Sequence, residues 1–301
     1  MSNWMQQQER GSLFLIRTIL WIALRLGRGM GRALLYPISA YFFIFSSQAR
    51  RASQQYLGKI LGRKATPLEV FRHYHTFSAT ILDRVYLFSG QHELFDLEVH
   101  GENILNDVIA QGRGCLLLGA HVGSFEILRA LGALHKGLSI KALMYGNNSI
   151  KINSVLNALN PDLAADIIQV GSPQSLLGIS EHLEQGSLLA LLGDRVVHGS
   201  KQVQCNFLGE QAEFASAPML LASILKVPVV LFFCLYRGDR KYEIHFELLS
   251  DQITINRKNR DMETRQWAQR YADRLAYYCR SAPYNWFNFY DFWSKHPSHD
   301  T

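Results

Sequence analysis

The sequence predicts an α/β fold: a mostly parallel sheet with helices on both faces, preceded by an apolar, basic N-terminal helical segment. Three observations lead there. From about residue 96, short apolar runs such as CLLLGA (115–120) and SLLALLGD (187–194) alternate with helical patterns, the order expected of strands joined by crossover helices. Those runs are apolar at consecutive positions, as in strands covered on both faces. The first 72 residues hold eleven Arg and Lys against two acids, Glu9 and Glu69, so that end carries +9 of the net +6 and the rest carries −3.

Composition narrows the class. Apolar residues make up 48% of the 301 positions and charged residues 19%, enough to bury a core and too apolar for global disorder. Cys115, Cys205, Cys234 and Cys279 lie far apart with no C-x-x-C pair. A thiolate zinc site, a redox dithiol and a disulfide scaffold are all poor fits, and reduced thiols in a cytosol-facing protein fit best.

Residues 12–26 (SLFLIRTILWIALRL) and 33–47 (ALLYPISAYFFIFSS) are the most apolar stretches, but Arg17 interrupts one and Pro37 the other. Neither is the unbroken run of about 18 apolar residues that a spanning helix needs. A cleaved signal peptide fits poorly, because arginines sit inside the apolar region and no small-x-small site follows it. On a helix turning about 100° per residue, Arg10, Arg17, Arg25, Arg28 and Arg32 fall within about 80° of one another. Gly27, Gly29 and Gly31 would weaken that helix. A basic stripe beside a wide apolar face points to a membrane surface before nucleic acid, with the arginines on anionic headgroups. The alternative is an amphipathic helix packed on its own domain. Whether the segment lies on or crosses the bilayer stays open. The chain thus divides into a 1–47 membrane anchor and a 48–301 domain, with 48–95 a helical lead-in and 96–301 the α/β core.

The lead-in shows apolar residues at helical spacing (Val70, Phe71, Tyr74, Phe77, Ile81, Val85), with Thr66 as N-cap before Pro67. FDLEVHG reads as a short alternating strand and ENILNDVIAQG as a helix closed by Gly112. After the CLLLGA strand, HVGSFEILRALGALHKG runs from a loop into a helix. SIKALMY is a strand, INSVLNALN and PQSLLGISEHLEQG are helices, and SLLALLGD is a strand. APMLLASILK is a helix, VPVVLFFCLYRG and KYEIHFELL are strands, and TRQWAQRYADRLAYYCRSAP is the last helix.

The candidate site is His121-Val122-Gly123-Ser124-Phe125-Glu126. With 11 histidines and 25 acids, about one H-x4-acid pair is expected by chance, so spacing alone decides nothing. Position adds weight. His121 follows a buried strand, where open α/β sheets form ligand sites. Ser124 suits an N-cap, which puts Glu126 in the first turn of the next helix. From there Glu126 can fold back onto the imidazole, leaving the other ring nitrogen to take a proton from a hydroxyl. The plainer alternative is a strand-capping histidine beside an acid favoured by the helix dipole. His73-Tyr74-His75 lacks a third metal ligand at plausible spacing and reads as helix surface. No metal, cofactor, P-loop or G-x-S-x-G elbow is indicated. Seven aromatics in 284–293 either line an acyl channel or pack on the sheet.

LLLGAHVGSFEILRA, with the basic apolar N-terminus, resembles the lysophospholipid acyltransferase superfamily, and more closely its bacterial lipid A late acyltransferases. The resemblance covers nearly the whole chain: ARRASQQYL after the anchor, LLALLGDRVVHGSKQVQCNFLGEQAEFASAP later, and PYNWFNFYDFW near the end. It implies a membrane-bound O-acyltransferase at the cytoplasmic face of a bacterial inner membrane. The acyl carrier protein thioester would be donor and a glycolipid such as a lipid A precursor the acceptor. It implies His121 as base, Glu126 as orienting acid and Asp194 as the acid of the later block. Gly123, Ser124, Tyr145, Asn148, Asp194 and Arg195 are the candidate substrate-binding residues, with Arg195 or the amides of loop 123–125 meeting the developing charge. Two departures bear on the acceptor. The tyrosine of the middle block, Tyr145, is followed by Gly146-Asn147-Asn148 rather than by Arg, and Asp194 is followed by Arg195 where Gln or His is commoner. A phospholipid or secondary-metabolite lipid is the alternative acceptor, and a non-catalytic lipid-binding protein the alternative of another class.

Overall fold

The computed structural model describes residues 13–128, 139–145, 166–170, 173–196 and 199–293. The INSVLNALN helix expected at 152–160 lies outside them. Helix α1 (Leu13–Phe45) is broken at Gly27, whose φ of 82° is outside the helical region. That break falls between Arg25 and Arg28, so a uniform 100° projection does not carry across it. Helices α2 (Ser47–Leu61) and α3 (Pro67–Phe88) follow. Thr66 caps α3 as expected, and with Glu69 forms a full capping box.

The core then runs β1 (Asp96–His100), α4 (Glu102–Ala110), β2 (Cys115–Gly119), β3 (Ile140–Tyr145), β4 (Ile167–Val170), α5 (Pro173–Glu184) and β5 (Leu188–Leu192). It continues with β6 (Gln202–Phe207), β7 (Glu210–Ala215), α6 (Ala217–Leu225), β8 (Val229–Gly238), β9 (Lys241–Ser250) and α7 (Arg260–Ser281). Seven strands form one sheet in the order β1-β9-β8-β2-β5-β3-β4. All neighbours are parallel except β8 and β9. The short strand β4 and the hairpin β6–β7 escaped the sequence reading. The hairpin turns at Leu208 and Gly209, both with positive φ (53° and 89°), as a tight two-residue turn requires.

Two cores lie on opposite sheet faces because successive strand residues alternate. Leu116, Leu118, Leu189, Leu191 and Phe233 pack under α2, α6 and α7. Cys115, Leu117, Leu188, Ala190 and Phe232 pack with residues of α1, α3 and α4. The four cysteines are free and buried.

Two arginines of the expected stripe, Arg28 and Arg32, turn inward rather than toward headgroups. Arg28 Nε lies 3.0 Å from Asp83 Oδ1, and its Nη1 2.9 Å from Asp239. Arg32 bonds the Tyr236 hydroxyl and stands 3.9 Å from Asp83. Asp83 has no exposed surface and also accepts from Tyr242 Oη at 2.8 Å. Burial pushes its carboxyl up, against the pull of Arg28. These two arginines thus face their own domain: a buried carboxylate needs cationic partners, and α1 supplies them. Arg25 is exposed. Arg10 lies outside the described residues, and only the backbone of Arg17 is described. No helix among the described residues is long and apolar enough to cross a membrane. The outward side of α1 is apolar, with Trp21, Leu26, Tyr36, Ile44 and Phe45 each 59% exposed.

Candidate active site

His121 and Asp194 meet because of strand register. Strands β2 and β5 are parallel neighbours with Gly119 opposite Leu192. His121 and Asp194 each stand two positions past those residues, so both reach the same carboxyl edge of the sheet. The two strand ends are tied by Gly193 N–H donating to Gly119 O at 2.9 Å, and Tyr271 Oη donates to the same oxygen at 2.8 Å.

Asp194 accepts three hydrogen bonds. His121 Nδ1 lies 2.7 Å from Oδ1, while the His121 amide (3.1 Å) and Trp286 Nε1 (2.9 Å) donate to Oδ2. Burial works to raise the Asp194 carboxyl, but His121, Arg195 and Trp286 outweigh it and hold it at about 2. An ionised Asp194 fixes the histidine hydrogen on Nδ1 and leaves the Nε2 lone pair as the basic position. Burial lowers the His121 pKa, and Arg195 and Arg84 add to that against the opposing pull of Asp194. The ring is therefore neutral at pH 7, with 29% of its side chain open to solvent.

Glu126 does not fold back onto the imidazole. It sits in the first turn after Ser124, as expected, but its Oε2 pairs with Arg84 Nε at 2.8 Å and accepts from Ser124 Oγ at 3.4 Å. No hydrogen bond or ion pair joins it to His121. An arginine of α3 nearby outcompetes a neutral imidazole already held by Asp194. Sequence spacing gave no hint of Arg84, which lies 42 positions before Glu126 in a different element.

The loop residues expected to bind substrate have partners within the fold. Gly123 has φ +63°, and a Cβ there would stand 1.7 Å from the Cys234 carbonyl oxygen. Its N–H donates to Asn285 O at 2.8 Å, and the Ser124 N–H to Cys234 O at 3.0 Å. Both amides are thus engaged, and Ser124 is fully buried. Arg195 Nη2 donates to Phe287 O at 3.2 Å and remains close enough to shift His121. Tyr145 ends β3, with its side chain not described, and Asn148 lies outside the described residues.

Much of the aromatic close is core and clamp, with Trp286, Phe287, Phe292 and Trp293 buried. Val122 bridges Trp286, and the Phe287 N–H donates to His121 O at 2.9 Å. Trp286 is buried against Tyr56, Phe207 and Phe292. His73, expected on a helix surface, is fully buried: Ser53 Oγ meets its Nδ1 at 2.8 Å, and its Nε2 meets Trp286 O at 2.9 Å. A chain of contacts thus runs His73–Trp286–Asp194–His121 from α3 to the end of β2.

A buried carboxylate orienting a neutral imidazole, flanked by Arg84 and Arg195, can deprotonate a hydroxyl and stabilise developing negative charge. In comparison with known proteins, residues 5–295 match the family described as bacterial lipid A biosynthesis acyltransferase. No curated protein matches the chain.

Proposed function

From a chain that belongs to the bacterial lipid A biosynthesis acyltransferases, and so is an acyltransferase with a lipid A-type acceptor, we propose the following reaction. His121 Nε2 removes the proton from an acceptor hydroxyl as that oxygen attacks the thioester carbonyl of an acyl carrier protein. Asp194 holds the ring and balances the imidazolium. Arg84 and Arg195 meet the tetrahedral oxyanion, and its collapse expels the carrier thiolate, which takes the proton from His121. A thioester is already activated, so positioning, a base and charge stabilisation are sufficient. The observation that carries this is the 2.7 Å His121–Asp194 contact at the edge shared by β2 and β5. Glu126 serves by holding Arg84.

The test is mass spectrometry of the lipid product from purified protein, acyl carrier protein thioester and a lipid A precursor. His121→Ala should lose about 10²–10⁴-fold in rate. Near-parental turnover by that variant would refute the base assignment. Transfer to a glycerophospholipid but not to the precursor would refute the acceptor.

The setting proposed is the cytoplasmic leaflet of the inner membrane, with α1 lying on the surface. Its exposed Trp21, Leu26, Tyr36 and Ile44 would contact lipid, and Arg25 the headgroups. Vesicle flotation reads this: Trp21→Ser with Ile44→Ser should weaken binding to neutral and anionic vesicles alike. Unchanged flotation would remove α1 as the contact.

A further inference from the structure

Two separated stretches, Glu98-Val99-His100 in β1 and Glu243-Ile244-His245 in β9, carry the same Glu-x-His order. The strands are parallel, with Glu98 opposite Glu243 and His100 opposite His245. Alternate strand residues share a face, so the four groups form a two-by-two cluster at the sheet edge. The imidazoles stack with centroids 4.5 Å apart and planes 14° apart. Glu98 Oε1 is 3.2 Å from His100 Nε2, and Glu243 Oε2 is 3.4 Å from His245 Nε2. One ligand atom each from His100, Glu243 and His245 lies within 4.8 Å of the others, the one such group found among the described residues.

We propose that His100, Glu243 and His245, with Glu98 beside them, bind a divalent transition-metal ion, zinc foremost, which clips the edge strand β1 to β9. The donor set suits it: imidazole nitrogen with carboxylate oxygen selects zinc, copper or nickel over magnesium or calcium. Zinc with ligands at about 2.0–2.2 Å in tetrahedral array puts ligand atoms roughly 3.4 Å apart. To meet one ion the two imidazoles must leave their stacked arrangement and turn their ring lone pairs toward a common point, a rotation open to side chains 21–44% exposed. The charge suits it as well. Arg237 Nη2 reaches Glu243 Oε2 at 2.7 Å, so one cation faces two carboxylates and the cluster keeps a net negative charge for a dication. Glu243 has a second oxygen with which to ligate. The benefit is local: β1 is five residues long and pairs on one side only. The site stands apart from His121: its β9 ligands are two strand spacings from β2, roughly 10 Å of sheet, and its β1 ligand three.

The experiment uses the full chain in detergent, free of any affinity tag and stripped with chelator. Zn²⁺ is titrated by calorimetry, with Mg²⁺ as control and Co²⁺ absorbance as a report on coordination. The expected result is one Zn²⁺ per chain, a melting temperature raised by Zn²⁺ but not by Mg²⁺, and at least about tenfold weaker binding in H100Q/H245Q. That double variant should melt like the metal-free parent, which shows that it folds. Equal Zn²⁺ affinity in parent and variant would place the ion elsewhere among the 11 histidines and overturn the proposal, as would no binding by the parent.

Discussion

Asp194→Asn separates the two carboxylates that compete for the role of orienting acid. In the parent, Asp194 accepts from His121 Nδ1 at 2.7 Å and, through Oδ2, from the His121 amide and Trp286 Nε1. Asparagine keeps the shape but has a single accepting oxygen. Both the amide and the indole donate to that side, so the new NH₂ turns toward Nδ1. Nδ1 must then accept, the ring hydrogen moves to Nε2, and the basic lone pair is lost. Reversal of the tautomer at unchanged geometry costs on the order of 10³–10⁴-fold, ~4–5.5 kcal/mol in the barrier. The pH profile gives a second reading. Burial, Arg195 and Arg84 lower the His121 pKa and Asp194 opposes them, so removing the carboxylate charge moves the rising limb of kcat/KM to lower pH. The assay is acyl transfer at saturating thioester across pH, beside Glu126→Gln, with thermal melts to show that both fold. Glu126→Gln removes a partly buried ion pair with Arg84 and should cost only about tenfold, ~1.4 kcal/mol. If Asp194→Asn stays within tenfold of parent while Glu126→Gln loses a thousandfold, the orienting acid is Glu126 and the reasoning fails.

Gly123→Ala should cost at least about 10²-fold in activity, because the Cβ meets the Cys234 carbonyl and displaces the loop that carries His121; parental kinetics would show that the loop yields without moving the site. Asp83→Asn leaves Arg28 and Arg32 facing a buried neutral amide and should lower unfolding stability by about 3–5 kcal/mol, read by urea denaturation; a loss under ~1 kcal/mol would mean that α1 does not depend on this cluster. Burial lowers the His73 pKa to about 4, below its ordinary 6.5, so below pH 6.5 the unfolded chain binds the extra proton and the folded chain does not. Stability is therefore complete above pH 6.5 and falls as pH drops toward 4, by about 3 kcal/mol from this group. His73→Gln should flatten that slope in urea unfolding between pH 7 and 5, and an unchanged slope would remove His73 as its source.

Local chemistry made much of this chain legible. The Thr66–Pro67 helix start, the apolar runs of β2, β5 and β8, and the Gly112 helix stop each depend on residues within a few positions of one another. His121 was also within reach, because a histidine directly after a doubly buried strand stands where open sheets place ligands. The partner of His121 was not. His121 and Asp194 are 73 positions apart and meet only because β2 pairs with β5 in a register set by tertiary packing. Glu126 was the better candidate in one dimension because it is near in sequence, and Arg84 claims it in three. The same limit applied to the arginine stripe. A helical projection places Arg28 and Arg32 beside Arg25, but the Gly27 break and a buried Asp83 on α3 decide which of them reach solvent. A sequence carries its periodicities and caps outright, whereas which carboxylate meets which base depends on strand order, on burial that makes an unpaired charge costly, and on rival partners brought close by folding.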